Sequence, residues 1–155
     1  MERDGRHIEP VSQKAGLETV YLRLALAAGF ITAVTDRFGL WGPYGVPNVA
    51  WGDMHHFTTY AGKLNPWFPG FMIPALAWIV TMAESTLVIT LLLGWKTRLS
   101  ATLAGCLLLA FAIGMTAGTG IKSALNASVF TASAGAFLLA RARFFPLSID
   151  SGFRS

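Results

Sequence analysis

The sequence predicts an all-α integral membrane protein, a bundle of four helices with a long outer loop that contains a short interfacial helix. Apolar residues make up 54% of the 155 residues and charged residues only 13%, against roughly 25% charged in an ordinary soluble domain. The apolar residues form four continuous runs, each near the length of about 17 to 25 residues that crosses a bilayer as a helix. A single membrane domain over residues 1–155 is therefore expected.

The first helix is predicted over about 17–35, after a polar N-terminal tail at 1–16 that carries charges of both signs. A small-residue cleavage site is not evident after a short apolar core, so this segment is expected to be retained as a membrane helix.

The remaining helices are predicted over about 71–93, 99–117 and 124–140, followed by a C-terminal tail at 141–155. Glycine-containing turns at 94–96 and 118–120 separate them. Because lipid cannot satisfy free backbone groups, each run must be a helix or part of a barrel. Barrel strands alternate in polarity, and these runs do not, so helices are favoured.

The outer loop, 38–70, holds its own predicted helix over Met54–Leu64, which Asp53 would cap. Aromatic residues flank that helix, as at a membrane interface. Two interpretations remain open: an interfacial helix with its anchors, or a lid over a ligand site that opens on the outer face. Asp36 and Arg37 are expected to close the first helix and face the outer surface. The candidate lining of such a ligand site is Asp36, Arg37, Trp51, His55 and Tyr60.

The basic residues predict the orientation, because Lys and Arg concentrate in cytoplasmic segments. With the N-terminus inside, three basic residues fall in the outer loops: Arg37, Lys63 and Lys122. Eight fall in the inner segments: Arg3, Arg6, Lys14, Lys96, Arg98, Arg141, Arg143 and Arg154. Both termini are therefore predicted to be cytoplasmic, and in a bacterium the long loop would then be periplasmic.

Two charged residues lie inside predicted membrane helices, Arg23 and Glu84. Such charges are costly and usually face a partner or a cavity. Counted from the same side at 1.5 Å per residue, Arg23 is about 9 Å deep and Glu84 about 15 Å deep. We therefore predict an Arg23–Glu84 ion pair in the bundle interior. The alternative is that Arg23 extends to the inner surface while a protonated Glu84 bonds a hydroxyl such as that of Thr81.

Small residues recur every four positions in two of the helices, which favours close helix packing in lipid. These ridges are Ala25, Gly29 and Ala33 in the first helix, and Ala124, Ser128, Ala132 and Ala136 in the fourth.

Motifs for metal, phosphate or nucleophilic chemistry are not found. The single cysteine, Cys106, lies in an apolar run, and adjacent histidines such as His55 and His56 point about 100° apart on a helix. The basic residues do not form a block, so a nucleic-acid partner is not predicted.

The sequence resembles the DoxX family of four-helix bacterial inner-membrane proteins. The resemblance spans about 17–140 and rests on Arg23, the Asp36-Arg37-Phe38-Gly39 segment, Glu84, and Leu91-Leu92-Leu93-Gly94 followed by Thr97-Arg98. Many members carry Gly-x-x-Lys after the first helix, where this chain has Asp36-Arg37. Relatives include the small subunit of thiosulfate:quinone oxidoreductase.

The resemblance implies an accessory subunit of a quinone-linked membrane redox system, with quinone as a candidate cofactor. A membrane or redox protein, or a second copy of the chain, is the implied partner beside the lipid bilayer. Two other functions stay open: a small transporter whose polar cavity is lined by Arg23 and Glu84, and a membrane scaffold without chemistry of its own.

Overall fold

The computed structural model describes residues 14–152, and of the side chains those from residue 16 onward. The described part is mainly helical and contains no strands. The polar tail predicted at 1–16 lies almost wholly outside it, as do Arg3, Arg6 and Arg154. The helices are α1 (Lys14–Arg37), α2 (Met54–Leu64), α3 (Ile73–Leu93), α4 (Thr97–Thr119), α5 (Ile121–Asn126), α6 (Val129–Arg141) and α7 (Ile149–Gly152).

Three of the described helices are long and apolar enough to cross a membrane: α1, α3 with the 3-10 turn that precedes it, and α4. They correspond to the runs predicted at 17–35, 71–93 and 99–117. Pro74 lies in the first turn of α3, where its missing N–H costs nothing. Gly94 ends α3 in the left-handed conformation that favours glycine.

The fourth predicted helix, at 124–140, is wrong in one respect: it is interrupted. Helix α5 ends at Asn126, and Ser128 takes a left-handed backbone conformation with φ of 54° before α6 begins. A run of apolar residues indicates hydropathy and does not indicate whether the helix is continuous. The sequence pattern therefore did not predict this break. At 13 residues, α6 is about 20 Å long.

The long helices alternate in direction. Arg37, at the end of α1, contacts Thr81 of α3, whereas Arg23, near the start of α1, lies against Gly94 at the end of α3. We call these two ends of the molecule the Arg37 end and the Arg23 end. Helix α4 runs back to the Arg37 end, where Gly118 meets the backbone of α2.

The larger apolar core lies toward the Arg23 end. Ser133 of α6 donates a hydrogen bond to the Gly105 carbonyl of α4 at 2.8 Å, and the Phe137 ring packs on Gly105. The buried members of the core come from α1, α3, α4, α6 and the C-terminal segment: Leu26, Ala27, Phe30, Leu87, Leu91, Ala101, Ala104, Ala136, Leu139 and Phe145. A smaller cluster joins α2 to the start of α3, through Phe57, Ala61, Ile73 and Ala77.

The C-terminal segment, 142–152, folds back across the Arg23 end. Phe145 is buried in the larger core, and the Phe144 carbonyl accepts a hydrogen bond from Thr19. Asp150 accepts hydrogen bonds from the backbone N–H groups of Lys96 at 2.8 Å and Thr97 at 2.6 Å. These are among the N–H groups at the start of α4 that no helical carbonyl can satisfy. The residues predicted as a tail therefore help to fix where α1 and α4 begin.

Candidate functional site

The candidate site is a cavity of about 920 Å³ that is lined by α1, α3, α4 and α6 and by α2 at the Arg37 end. Ligand pockets commonly have volumes of about 300 to 1,000 Å³. Its wall is mostly apolar, with Leu22, Leu26 and Phe30 from α1 and Leu107 and Leu108 from α4. Near the Arg37 end the wall becomes polar.

A buried ion pair between Arg37 and Glu84 forms that polar wall. Arg37 is 2% exposed and Glu84 1%. The guanidinium also donates to the Thr81 hydroxyl at 2.8 Å, and that hydroxyl donates to the Ala77 carbonyl at 2.8 Å. Removing one partner of a buried pair leaves a charge without compensation, which is strongly destabilising.

Aromatic rings cover the guanidinium from the side of α2. The Arg37 Cζ atom lies 3.6 Å from the centroid of the Phe57 ring and 5.3 Å from that of Trp51. A cation over an aromatic face is attracted by the ring's quadrupole. The Trp51 and Phe57 rings meet edge to face at 5.0 Å, so the covering layer is itself packed. This layer separates the ion pair from the surface at the Arg37 end.

Asp36 holds the covering layer in place. Its carboxylate accepts hydrogen bonds from the backbone N–H groups of Trp51 at 2.7 Å and Ala50 at 3.3 Å. Because adjacent residues on a helix point about 100° apart, Asp36 and Arg37 serve different partners. The Asp36 carboxylate bonds the loop to the end of α1, whereas the Arg37 side chain points between the helices, beneath the loop.

Helix α2 begins as predicted, with Asp53 at its N-cap. The Asp53 carboxylate accepts from the His56 backbone N–H at 2.8 Å and contacts the His56 ring nitrogen Nδ1 at 2.8 Å. These hydrogen bonds to His56 lower the pKa of Asp53. The Tyr44 ring stacks on His56 at 3.9 Å. The cap thus fixes the near end of α2 against the loop.

Two further polar residues of α2 and its C-terminal edge face the cavity, Tyr60 and Asn65. Burial raises the pKa of the Tyr60 phenol, so this group stays protonated and able to donate a hydrogen bond. The Asn65 amide donates to the Ala61 carbonyl at 2.9 Å. Apart from the hydroxyls of Ser128 and Thr131 at the α5–α6 break, the polar side chains of the cavity therefore lie at the Arg37 end.

The predicted ion pair between Arg23 and Glu84 is wrong, because Glu84 pairs with Arg37. Arg23 is buried at the other end, where it donates to the Leu147 carbonyl at 2.6 Å. The depth count assumed that the start of α1 and the end of α3 lie level with each other. In the structure Arg23 is level with Gly94, about 15 Å along α3 from Glu84 at 1.5 Å per residue.

The expectation that Asp36 and Arg37 face the outer surface is also wrong, since both are buried. Arg37, Trp51 and Tyr60 line the cavity. Asp36 lies behind the lining and holds Trp51. His55 is exposed and meets His56 edge to face at 5.8 Å, away from the cavity wall.

Thr81 and Asn65 were not predicted as site residues. A hydroxyl one helical turn from Glu84 is the signal that points to Thr81, since residues three apart share a helix face. Nothing in the sequence pattern distinguishes Asn65 from an ordinary loop residue.

Comparisons with protein-family models, with curated proteins and with solved structures each find no match to this chain. The functional argument therefore rests on the geometry of the cavity.

Proposed function

We propose that the chain is a membrane protein that binds an uncharged amphiphile of the quinone class in the cavity between its helices. In this proposal it is an accessory subunit of a quinone-linked redox system, as the resemblance to the DoxX family implies. The observation that carries the proposal is the cavity of about 920 Å³ with the Arg37–Glu84 pair in its wall.

The charge balance of the site favours an uncharged ligand head. Arg37 and Glu84 neutralise each other, and the Thr81 hydroxyl takes a further guanidinium hydrogen bond. An additional charge in this low-dielectric setting would meet one like charge as well as one opposite charge, and it would lose its hydration. A carbonyl or hydroxyl head meets no like charge and loses much less hydration than an ion.

The distribution of polar groups favours an amphiphile over a purely apolar ligand. The Tyr60 phenol can donate a hydrogen bond, and the Arg37 side chain brings the donor groups of its guanidinium to the same end. Both residues line the cavity. A carbonyl oxygen at that end would accept from such donors, while an apolar tail would pack on Leu26, Phe30 and Leu108. A quinone with an isoprenoid tail has this division of polarity.

The proposed topology places α1, α3, α4 and the interrupted α5–α6 segment across the bilayer as four passes. The Arg23 end, with Lys96, Arg98, Arg141 and Arg143, would face the cytoplasm of a bacterial inner membrane. Helix α2 and the loop tryptophans would then lie at the outer interface. Electrons would reach a bound quinone through a partner subunit.

A small transporter is the second candidate. The observation in its favour is the break at Ser128, which lines the cavity. Interrupted helices beside a central site are a feature of many transporter folds. A transporter would move solute across proteoliposomes that contain only this chain, and a binding subunit would not.

The proposal is tested by quinone titration of the purified chain in nanodiscs. Trp51 lines the cavity, so it is retained as the single tryptophan while Trp41, Trp67, Trp78 and Trp95 are changed to Phe. We expect saturable quenching of Trp51 by a short-tailed quinone, and no saturable quenching by a fatty acid of similar length. Glu84→Gln is expected to weaken quinone binding, with Glu18→Gln as the matched control. Quenching that rises linearly with quinone in the parent protein would contradict the proposal.

A further inference from the structure

We propose that the ligand enters the cavity sideways from the bilayer hydrocarbon, between α1 and the break that separates α5 from α6. We call this gap the lateral portal and define it by Ala25, Gly29, Ala33, Ser128 and Thr131. The inference rests on the proposed function and adds to it the route by which the lipid-soluble ligand reaches its site.

The α1 side of the portal is a ridge of small residues that no other helix covers within residues 14–152. Ala25, Gly29 and Ala33 are spaced by four residues and line the cavity. Ala25 and Gly29 are exposed, and a Cβ atom on Gly29 would meet nothing within 4 Å. Small residues at this spacing normally let two helices approach closely, as the sequence predicted. Here the ridge leaves open space instead.

The opposite side of the portal is the interrupted fourth helix. Ala127, Ser128 and Thr131 line the cavity and are exposed. Closer to the Arg23 end the two sides touch: a Cβ on Gly135 of α6 would lie 3.3 Å from Leu22 of α1. The gap between α1 and α6 therefore begins beyond that contact and extends toward the Arg37 end.

The neighbouring helices of the cavity wall make close contacts with one another. On the α3 side, Leu87 and Leu91 belong to the same buried core as Leu26 and Ala27 of α1. On the α4 side, Gly105 is filled by the Phe137 ring. Helix α2 is seated on α4 so closely that Gly118 meets its backbone. The open side thus faces the direction from which a membrane-dissolved molecule would come.

The polar groups at the Arg37 end indicate what arrives through the portal. Arg37 and Tyr60 both line the cavity there, and the Tyr60 phenol can donate a hydrogen bond. Gly29 lies eight residues before Arg37, about 12 Å along α1. A head that accepts a hydrogen bond would sit beside Arg37 while the tail extends back past Gly29 into lipid.

The test compares rates of quinone binding in nanodiscs, followed by stopped-flow quenching of Trp51. Gly29→Leu and Thr131→Leu narrow the portal from its two sides. Ala28→Leu and Ala134→Leu are the matched controls, because these neighbours are exposed but do not line the cavity. We expect association to slow by about tenfold or more in the portal variants, a barrier of about 1.4 kcal/mol, and by less than about twofold in the controls. Gly29→Ala is expected to keep the parent rate.

The outcomes separate failure of the lateral portal alone from failure of the proposed function. Saturable binding with equal rates in parent and portal variants would overturn the portal and leave the proposed function intact. Equal slowing in Ala28→Leu would also overturn it, because the effect would then belong to the lipid-facing surface. If the parent protein shows no saturable binding, the proposed function and the portal fail together. Far-UV circular dichroism of each variant confirms that the helices are retained.

Discussion

Arg23 and Arg37 lie on the same helix, are both almost fully buried, and are held in different ways. Arg37 meets a carboxylate, a hydroxyl and two aromatic rings, all from side chains. Arg23 donates to a backbone carbonyl, that of Leu147, and interacts electrostatically with Asp150. Fourteen residues, or about 21 Å, separate the two arginines along α1.

The difference follows from how the two ends are filled. At the Arg23 end the C-terminal segment covers the helix ends and inserts Phe145 into the core. At the Arg37 end the helices leave a cavity, and the charged side chain is covered by α2 and its loop. The comparison teaches that two buried arginines on one helix can have different settings, one against a backbone carbonyl at a packed end and the other beside a cavity.

The largest expected effect comes from breaking the pair at the Arg37 end. Arg37→Met leaves Glu84 buried without its counter-charge, and we expect a loss of about 3 to 5 kcal/mol in unfolding free energy. Arg23→Met should cost less, about 1 to 3 kcal/mol, because it leaves a neutral carbonyl without its donor. Denaturation in mixed micelles measures both values. A larger loss for Arg23→Met would reverse the ranking of the two ends.

A double-mutant cycle sharpens this result. Arg37→Met combined with Glu84→Met removes both charges, so the double variant should be more stable than the sum of the single losses predicts. Additive losses within about 0.5 kcal/mol would show that the two side chains do not interact.

The next effect concerns the packing of α2 against α4. A Cβ on Gly118 would run into the Lys63 carbonyl and the Leu64 backbone of α2. Gly118→Ala should therefore displace α2, cost about 1 to 3 kcal/mol, and speed hydrogen exchange of the α2 amides. Gly29→Ala is the matched control, with an expected change within about 0.5 kcal/mol. Unchanged exchange in Gly118→Ala would show that α2 is not seated there.

A smaller effect is expected at the Arg23 end. Asp150→Ala removes the acceptor of the Lys96 and Thr97 amides, and the loss of such a cap costs about 0.5 to 2 kcal/mol. Hydrogen exchange should rise at those two amides and leave the α2 amides unchanged. Asp150→Asn keeps an acceptor oxygen and should lose less. Equal losses in the two variants would contradict the capping role.

The smallest effect is a local one at acid pH. Hydrogen bonds from His56 lower the pKa of Asp53 in the folded chain, so its stabilising contribution is complete above the unfolded value of about 3.9. The contribution is lost as pH falls through the lower folded value. We expect the first turn of α2 to fray below about pH 4, detected as weaker NMR contacts between Tyr44 and His56. Asp53→Asn should abolish this pH dependence, and fraying that persists in this variant would assign it to another group.

Part of the site was predictable from individual residues. Glu84 in an apolar run indicates a buried acid, and the aromatic loop with Asp53 ahead of Met54 indicates a capped helix beside it. Which arginine pairs with Glu84 was not predictable, because the pairing depends on how far α1 is shifted along α3. Thr81 lies thirteen residues before Gly94 on α3, and Arg37 lies fourteen residues after Arg23 on α1. Once Arg23 is placed level with Gly94, these nearly equal distances bring Arg37 beside Thr81.

The small-residue ridges show the same limit of prediction from sequence: the partner of a helix face is not given by its residue pattern. Ala25, Gly29 and Ala33 have the spacing of a packing surface, yet they border the cavity. Ala136 does pack in the core, whereas Ser128 sits at the helix break. Spacing fixes which residues share a helix face, and it does not say what that face meets.

The sequence by itself determined the helical class, three of the long helices and the capped helix in the loop, because hydropathy and capping act over a few neighbouring residues. Only the tertiary structure decided the partner of Glu84, the break before α6, the folding of 142–152 across the Arg23 end, and the cavity. Those features depend on the axial offset and separation of whole helices. Both are set by many weak contacts between residues far apart in the chain.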